Sequence, residues 1–438
     1  MNRLKEFLIK VAILLILIML LAIWVILPWT FAVGLLALVA LWLGLTRMGR
    51  QTWAITQIGL STLPQRIGIS SVIVVGIAGV VGVLVAMLAM SEGFRQTLAP
   101  SGSDDNAIIL RGGSRVEVNS VVTREQVALI SSLPGIARDT GNQALISAEM
   151  SQIATFFKKS DGLEANAQIR GVAESSWTIR PHINLIAGRR FETGKRELVV
   201  GKGASDEFQG LELGNVVELS NQDWTVVGIF QSGNAHDSEL WADATTLAAA
   251  YGRQAYQSVT VKLTGAEGLA QLKAALDDDP RLKLDAETTR NYFVKQSEGL
   301  TQLITALGTI IGAIMAFGAV FGALNTMYAA VAGRAREIGT LRALGFKGLP
   351  VVVAIMIETM VLAAAGGVLG AALAWVFFNG YSVSTLSENF SQIVFQFRVT
   401  PELLWTGMKW ALGIGLIGGS FPAIRAARMH ITEALRQA

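Results

Sequence analysis

The stretch that decides the fold runs from residue 300 to residue 378 and has three parts. It opens with the apolar run LTQLITALGTIIGAIMAFGAVFGALNTMYAAV at 300–331, continues with the basic segment RAREIGTLRALGFK at 334–347, and closes with the apolar run LPVVVAIMIETMVLAAAGGVLGAALAWVFF at 349–378. Each apolar run exceeds the roughly 20 residues that a helix needs to cross about 30 Å of hydrocarbon. The sequence therefore predicts two spanning helices joined by a short loop.

The loop itself carries an excess of positive charge. It holds one glutamate, Glu337, against four basic residues, Arg334, Arg336, Arg342 and Lys347. A basic excess in a short loop is typical of the cytoplasmic side. Ile338, Leu341 and Leu344 recur at helical spacing, which predicts a short amphipathic helix. Such a helix between two spans is well placed for a partner to push on.

Composition is that of a membrane protein with a soluble part. The chain has 438 residues, of which 52% are hydrophobic and only 16% are charged. A net charge of +3 is too small to indicate a nucleic-acid partner, and the basic residues cluster beside the spans. The chain has no cysteine, which excludes disulfides and thiolate metal sites.

The N-terminal region, 1–50, reads as a transmembrane hairpin. Its apolar runs lie at 8–27 and 31–45, on either side of Pro28 and Trp29. A signal peptide is the rival interpretation, but the first run is longer than a signal's apolar region and no small-residue cleavage site follows it. Residues 51–66 predict an amphipathic helix on the inner membrane surface, and residues 67–90 predict the first core span. The amphipathic helix and this span together form the segment 51–90.

Residues 91–299 have the composition of a soluble α+β domain inserted outside the membrane. Short apolar runs predict strands at 107–110, 145–149, 168–172, 197–200, 216–219, 224–230 and 258–263, and amphipathic patterns predict helices at 124–132 and 265–277. From about Asp285 the helical spacing leads without a breaker into the span at 300, which predicts a stalk helix. After an outer loop at 379–402, a last span at 403–421 completes a permease core at 300–438. Arg425 and Arg428 keep the tail inside, so six spans place both termini in the cytoplasm.

No catalytic motif emerges. There is no GxxxxGK[ST] phosphate loop, no GxSxG elbow and no convincing pair of nucleophile and base. His182, His236 and His430 lack metal-ligand spacing, which favours surface or loop roles. The GxGxxG string at 413–418 lies inside a span, where close helix packing is the better interpretation than dinucleotide binding. The small-residue pairs Gly318/Gly322 and Gly366/Gly370 indicate helix packing in the same way.

Two ionisable residues lie within predicted spans, Glu358 and Lys409. Both are costly in hydrocarbon, so each needs a partner or access to water. Their predicted depths differ by roughly 5 Å, and one hypothesis pairs them across the helix packing. The alternative places Glu358 in a wet cavity between helices and lets Lys409 extend toward the headgroups.

Three segments carry a resemblance to a known family. They are GALNTM at 322–327 with RAREIGTLRALG at 334–345, then Glu358 with GGVLG at 366–370, and finally FPAIRAAR at 421–428 with EALR at 433–436. Together they resemble the FtsX/MacB-type permease of ABC transporters. LPGI at 133–136 and VVGIF at 226–230 are similar to the family's extracytoplasmic domain, and the resemblance runs from about residue 53 to the end.

The resemblance implies a type VII ABC permease-like fold: a membrane helical bundle of four core spans with an inserted extracytoplasmic α+β domain, here with the extra N-terminal hairpin. It also implies a cytoplasmic coupling helix at 334–347, dimerisation with itself or a related permease, and ATP and Mg in a partner ATPase. Carried onto this chain, the ATPase would dock on Arg336, Glu337, Gly339, Arg342, Leu344 and Gly345, with Arg334 and Leu341 in the same helix. The extra hairpin and the residues His430-Ile431-Thr432, where the family often has Asp-Pro, depart from the pattern.

The expected function is that of a multi-pass permease subunit of the bacterial inner membrane, without an ATPase of its own. It would transmit ATP-driven movement to the outer domain for export or extraction of a substrate. Expected partners are an ABC ATPase dimer, a second permease, membrane lipids and a periplasmic adaptor protein. The alternative is an FtsX-like regulator that controls an extracytoplasmic hydrolase. A sensor with an outer ligand domain is weaker, since no cytoplasmic output domain is seen.

Overall fold

The computed structural model describes Met19 and residues 23–387 and 391–430. In chain order the helices are α1 (Trp29–Leu45), α2 (Arg47–Ser61), α3 (Ile67–Leu98), α4 (Arg124–Ile130), α5 (Ser176–Ile179), α6 (Lys202–Glu207), α7 (Ala244–Ala250), α8 (Gly268–Asp278), α9 (Thr289–Gly333), α10 (Ala335–Ala343), α11 (Gly348–Phe378) and α12 (Pro401–Arg428). The strands are β1 (Asn106–Arg111), β2 (Val122–Thr123), β3 (Ile146–Phe157), β4 (Glu164–Val172), β5 (Asn184–Gly188), β6 (Glu197–Gly201), β7 (Val216–Leu219), β8 (Gln222–Gln231), β9 (Glu239–Asp243), β10 (Ala255–Tyr256), β11 (Ser258–Lys262), β12 (Leu284–Thr288), β13 (Ser382–Leu386) and β14 (Gln392–Gln396).

The chain divides into two compact units. The helical unit comprises Met1–Met90, Ile304–Asn379 and Arg398–Ala438, and the sheet unit comprises Ser91–Leu303 and Gly380–Phe397. The chain therefore passes between the units four times. The second insertion, at 380–397, was read from the sequence only as part of an outer loop.

Four helices of the described chain are long and apolar enough to span a membrane: α3, α9, α11 and α12. They correspond to the four predicted core spans. The last one was predicted to stop at 421, but α12 continues through Pro422 to Arg428. The helix before it, α11, has Pro350 near its start, where a missing N–H costs no internal hydrogen bond.

The N-terminal helices form a sharp bend. The axes of α1 and α2 meet at 100° at Thr46, whose hydroxyl accepts a 2.8 Å hydrogen bond from Gly49 N and so caps α2. The 17 residues of α1 amount to about 26 Å, just short of a full span. The other arm of the predicted hairpin, 8–27, lies mostly outside the described residues, so the hairpin stays a prediction. The predicted amphipathic helix at 51–66 begins earlier than expected, at Arg47.

The sheet unit is built on one ten-stranded mixed sheet. Its strand order is β12-β1-β11-β3-β4-β9-β6-β8-β5, with β7 also paired to β8. All seven predicted strands exist, although β3 runs to Phe157, eight residues beyond its predicted end. One cluster of buried side chains packs around Trp224 and Phe208, and another around Ile109 and Ile130.

The stalk helix begins later than predicted. Residues 284–288 form β12, which pairs antiparallel with β1, because Leu284 and Ala286 alternate toward the core. The helix α9 starts at Thr289, with the hydroxyl of Thr288 accepting a 3.2 Å hydrogen bond from Asn291 N. It then continues for 45 residues to Gly333.

The hairpin β13–β14 packs into the sheet unit. The ring of Phe395 meets that of Phe94 edge-on at 5.4 Å, and Val394 N donates a 2.9 Å hydrogen bond to Ser238 Oγ. A Cβ at Gly93 would lie 2.0 Å from Gln396 O, so only glycine allows this approach. The strands β13 and β14 are thus a folded part of the unit and were not predicted from the sequence.

Candidate functional site

The coupling segment is a short helix with a defined stop. The helix α10 spans Ala335–Ala343 and is followed by Gly345, whose φ of +96° is accessible mainly to glycine. Gly345 N donates to Arg342 O and Phe346 N to Leu341 O, each at 3.1 Å. These two hydrogen bonds form the Schellman motif, which satisfies the last carbonyls of the helix. Gly345 therefore has a local role: it ends the helix.

The two faces of α10 differ in exposure. Ile338 and Gly339 are buried, whereas Arg336, Glu337 and Leu344 are exposed. Both Gly339 and Leu344 were expected on the docking face, but Gly339 is covered by the rest of its unit, whereas Leu344 is 73% exposed. Leu341 and Arg342 are half-buried.

Arg334 connects the coupling segment to the next helix. Its Nη1 donates a 2.9 Å hydrogen bond to Glu358 Oε2, and its Nε donates at 3.2 Å to Glu337 Oε2. The side chains of Arg334 and Glu358 are only 10% and 7% exposed. This is the buried partner of Glu358, and the hypothesis that Glu358 pairs with Lys409 was wrong. Sequence reasoning passed over Arg334 because it was counted among the loop cations.

Lys409 instead meets backbone oxygens. Its Nζ donates to Val25 O and, at 3.4 Å, to Leu27 O, while Trp24 Nε1 donates at 2.9 Å to Lys409 O. The carbonyls lie at the end of a helical turn just before Pro28, which has no N–H. A helix C-terminus carries partial negative charge and stabilises a cation. These backbone carbonyls offset the free-energy cost of placing the charge of Lys409 within a span.

Glycines allow the helices around the Arg334–Glu358 ion pair to pack closely. A Cβ at Gly59 of α2 would lie 2.9 Å from Glu358 Oε2, so α2 approaches the ion pair directly. Gly366 and Gly370 face α3 equally closely, with Val74 O and Ala78 O at 2.8 and 2.4 Å from a built Cβ. Within the GxGxxG string, Gly415 and Gly418 abut Ala363 and Ala323, which fits helix packing.

Gly318 and Gly322 behave differently from the other predicted packing pair. A Cβ built on either meets no atom of the described chain within 4 Å. No helix of the described chain packs closely against them, so their role in helix packing stays a prediction.

The C-terminal end of α12 lies against the coupling segment and α9. Arg342 Nη1 donates a hydrogen bond to Met429 O, and the Arg425 guanidinium lies 5.5 Å from the centre of the Tyr328 ring. Pro422 is buried inside α12, and Arg428 is exposed. The rest of the family-like ending, from 431, lies outside the described residues.

A buried charge cluster occupies the sheet unit and was not foreseen. Arg170, 3% exposed, bonds Glu117, Glu149 and Glu239 at 2.7–3.0 Å. Arg180 makes a second contact to Glu149 at 2.6 Å. Burial raises the pKa of the Glu149 carboxyl, but Arg180 and Arg170 outweigh burial and hold it below its usual value. The residues of this charge cluster are spread between positions 117 and 239, so no local sequence motif reveals the cluster.

Two of the histidines meet in this region. The rings of His182 and His236 stack with centroids 6.3 Å apart, and His236 Nδ1 lies 3.0 Å from Glu239 Oε2. His236 is fully buried, so a surface role was wrong for it, although it does lie in the connection between β8 and β9. Burial, the neighbouring His236 and Arg180 lower the pKa of His182 to about 4. Within the described ranges, no group of three or more His, Cys, Asp or Glu residues is arranged to hold a metal ion.

Two family models match this chain. The MacB-like periplasmic core domain matches residues 70–279, and the FtsX-like permease C-terminal domain matches residues 309–431. The second match includes α10, Glu358 and the Arg425 region. The chain belongs to the FtsX/MacB-type ABC transporter permeases.

Similar proteins were found among curated relatives and solved structures. The "Macrolide export ATP-binding/permease protein MacB" of Bdellovibrio bacteriovorus is 26% identical over 400 residues, 83% of this chain and 58% of that protein. The "Uncharacterized ABC transporter permease YknZ" of Bacillus subtilis is 22% identical, over 83% of this chain and 93% of that protein. The chain spans about half the length of the MacB relatives it matches. The periplasmic region of MacB from Actinobacillus actinomycetemcomitans is 14% identical and matches 43% of this chain and 91% of that chain, at a TM-score of 0.34.

These findings place the chain among membrane-embedded permeases. It is a permease of ABC transporter type, with four apolar helices that fit a membrane and an α+β domain of the MacB-like periplasmic kind. Permeases of this family work with ABC ATPases.

Proposed function

We propose that this permease transmits ATP-driven movement from a cytoplasmic ABC ATPase dimer to its extracytoplasmic domain, for export or extraction of a substrate. The observation that carries the proposal is the attachment of α10. Its charged face, with Arg336 and Glu337, is exposed, while Arg334 ties its start to Glu358 of α11. A push on the exposed face would therefore be passed into the spans.

The helix α9 supplies the long element that such a movement needs. It runs without a break for 45 residues, about 68 Å, and ends one residue before Arg334. Packed helices shift between discrete arrangements when these lie within a few kcal/mol of each other. In this proposal the basic segment 334–347 and both termini face the cytoplasm of a bacterial inner membrane, and a second permease copy or a relative completes the complex. ATP and Mg would be bound by the ATPase, and a periplasmic adaptor would meet the outer domain.

The experiment compares two sites at which an arginine is followed directly by a glutamate in the sequence. The double variant Arg336→Ala/Glu337→Ala removes charge from the exposed face of α10, and Arg124→Ala/Glu125→Ala removes the same residue types from the start of α4. With the ATPase subunit co-purified in lipid nanodiscs, the first pair of changes should lower the stimulated ATPase rate at least about tenfold, and the second should not. Normal stimulation in the α10 variant would refute the proposal.

Signalling to an extracytoplasmic hydrolase is not favoured, because the named MacB relatives are described as macrolide export proteins. For this chain we propose efflux of an amphipathic compound. ATP-dependent loss of such a compound from proteoliposomes tests that choice.

A further inference from the structure

A cavity of about 320 Å³ lies in the helical unit between α2, α10 and α11. Its wall is mostly apolar and is formed by Ile55, Ile58, Ile338, Leu341, Val351 and Ile355. Pockets of this size and apolar character bind small organic molecules. Nothing in the proposed force transmission requires an empty space at this position.

The polar end of the cavity has an unequal charge count. Its charged lining residues are Arg334, Glu337 and Glu358, one guanidinium against two carboxylates. Arg334 is already shared between them, at 2.9 Å to Glu358 and 3.2 Å to Glu337. The formal charge of this end is therefore −1.

We assign the excess negative charge to Glu337, because it is the more exposed of the two carboxylates. Glu358 is buried against Arg334, whereas the Glu337 side chain is 53% exposed. An incoming group can thus reach Glu337 without breaking the buried pair. An anion would meet two carboxylates and a guanidinium that is already engaged, whereas a cation beside an apolar wall would be stabilised.

We propose that this cavity binds a hydrophobic cation, with its apolar groups among the isoleucines and its charge beside Glu337. The apolar wall selects for hydrophobic surface, and the uncompensated carboxylate selects for positive charge. The competing occupant is the chain of an amine-bearing phospholipid.

The test uses two ions of the same shape and opposite charge. Tetraphenylphosphonium and tetraphenylborate are titrated into the full chain in phosphatidylcholine nanodiscs, with empty nanodiscs as the background. We expect saturable binding of the phosphonium alone. Glu337→Gln should weaken it about tenfold, which corresponds to about 1.4 kcal/mol. Glu402→Gln, an exposed glutamate at the start of α12, is the charge control and should leave binding unchanged.

A second variant fills the space. Ile355→Trp should abolish saturable phosphonium binding, whereas Val376→Trp, on an exposed position of the same helix, should not. Should Ile355→Trp unfold the chain, Glu337→Gln still decides, since that side chain is largely exposed. Equal binding of both ions, or unchanged binding in Glu337→Gln, overturns the proposal. Loss of binding in phosphatidylethanolamine nanodiscs would assign the cavity to lipid, and this result also overturns the proposal.

Discussion

Arg334 Nη1 lies 2.9 Å from Glu358 Oε2, although the two residues are 24 positions apart and α10 lies between them in the chain. The pair closes a loop from the end of α9 to the interior of α11. Both side chains are almost fully buried, so the interaction is poorly screened by water. It is one of the contacts that hold the coupling segment on the spans, together with the hydrogen bond from Arg342 to Met429 O.

Removing one partner should therefore be costly. Arg334→Ala leaves the Glu358 carboxylate buried without its cation, and we expect a loss of about 3–5 kcal/mol in the free energy of unfolding. Arg334→Met/Glu358→Met removes both charges and should recover much of that loss. Denaturant unfolding in detergent measures both, and a double variant no more stable than Arg334→Ala would contradict the interpretation.

Gly59 tests how tightly α2 is packed on the same pair. Alanine in a helix is ordinarily favoured over glycine by up to about 1 kcal/mol. At Gly59 the new Cβ would lie 2.9 Å from Glu358 Oε2 and 3.4 Å from Arg334 Nη1. We expect Gly59→Ala to destabilise the unit by about 1–3 kcal/mol through overpacking. Gly76→Ala in α3, where nothing lies within 4 Å, should be neutral or stabilising, and equal effects at the two sites would rule out the explanation.

The charge cluster of the sheet unit should depend on Arg170. Substitution by alanine leaves Glu117, Glu149 and Glu239 buried around a missing cation, and we expect at least about 3–5 kcal/mol of destabilisation. Arg281→Ala breaks an exposed ion pair with Asp279 and should have no measurable effect. Thermal unfolding followed by tryptophan fluorescence distinguishes them, since Trp224 and Trp241 are buried in the same unit.

Stability should fall in mild acid because of His182. Its pKa is lowered from 6.5 to about 4, so the unfolded chain binds the proton at higher pH than the folded chain does. The contribution is complete above pH 6.5 and is lost as the pH falls toward 4. We expect about 1 kcal/mol, less than the full pKa change implies, because solvent screens a partly exposed ring. His182→Gln should flatten the stability profile between pH 6.5 and 4, and an unchanged slope would exclude His182 as its source.

A separate loss should follow at lower pH. The pKa of Glu149 is held below its usual 4.5 because Arg180 and Arg170 outweigh the effect of burial. Its contribution is therefore present above pH 4.5 and disappears below it, and it should persist in His182→Gln.

Much of the secondary structure could be predicted because the pattern is local. The runs at 197–200 and 216–219 became β6 and β7 with bounds within one residue, since apolar β-branched residues between turns favour strands. The strand β9 was missed because its five residues, Glu239–Asp243, include charged side chains at both ends. Burial of Glu239 is possible because Arg170 and His236 meet its carboxylate, and the Asp243 carboxylate accepts hydrogen bonds from Thr246 N and Oγ1. The hairpin β13–β14 was missed because only two of its strand residues, Ile393 and Phe395, are buried, and polar residues surround them in the sequence.

The sequence by itself determined what depends on neighbours along the chain. The long apolar runs, the basic segment between two of them and the stop at Gly345 need only hydropathy, charge and backbone conformation. Tertiary structure alone decided which buried charge meets which. Glu358 could have paired with either Arg334 or Lys409. It pairs with Arg334 because the start of α10 lies beside α11, and Lys409 instead meets the backbone carbonyls just before Pro28. Ion pairing acts over a few ångströms in space, whereas a sequence records only separation along the chain.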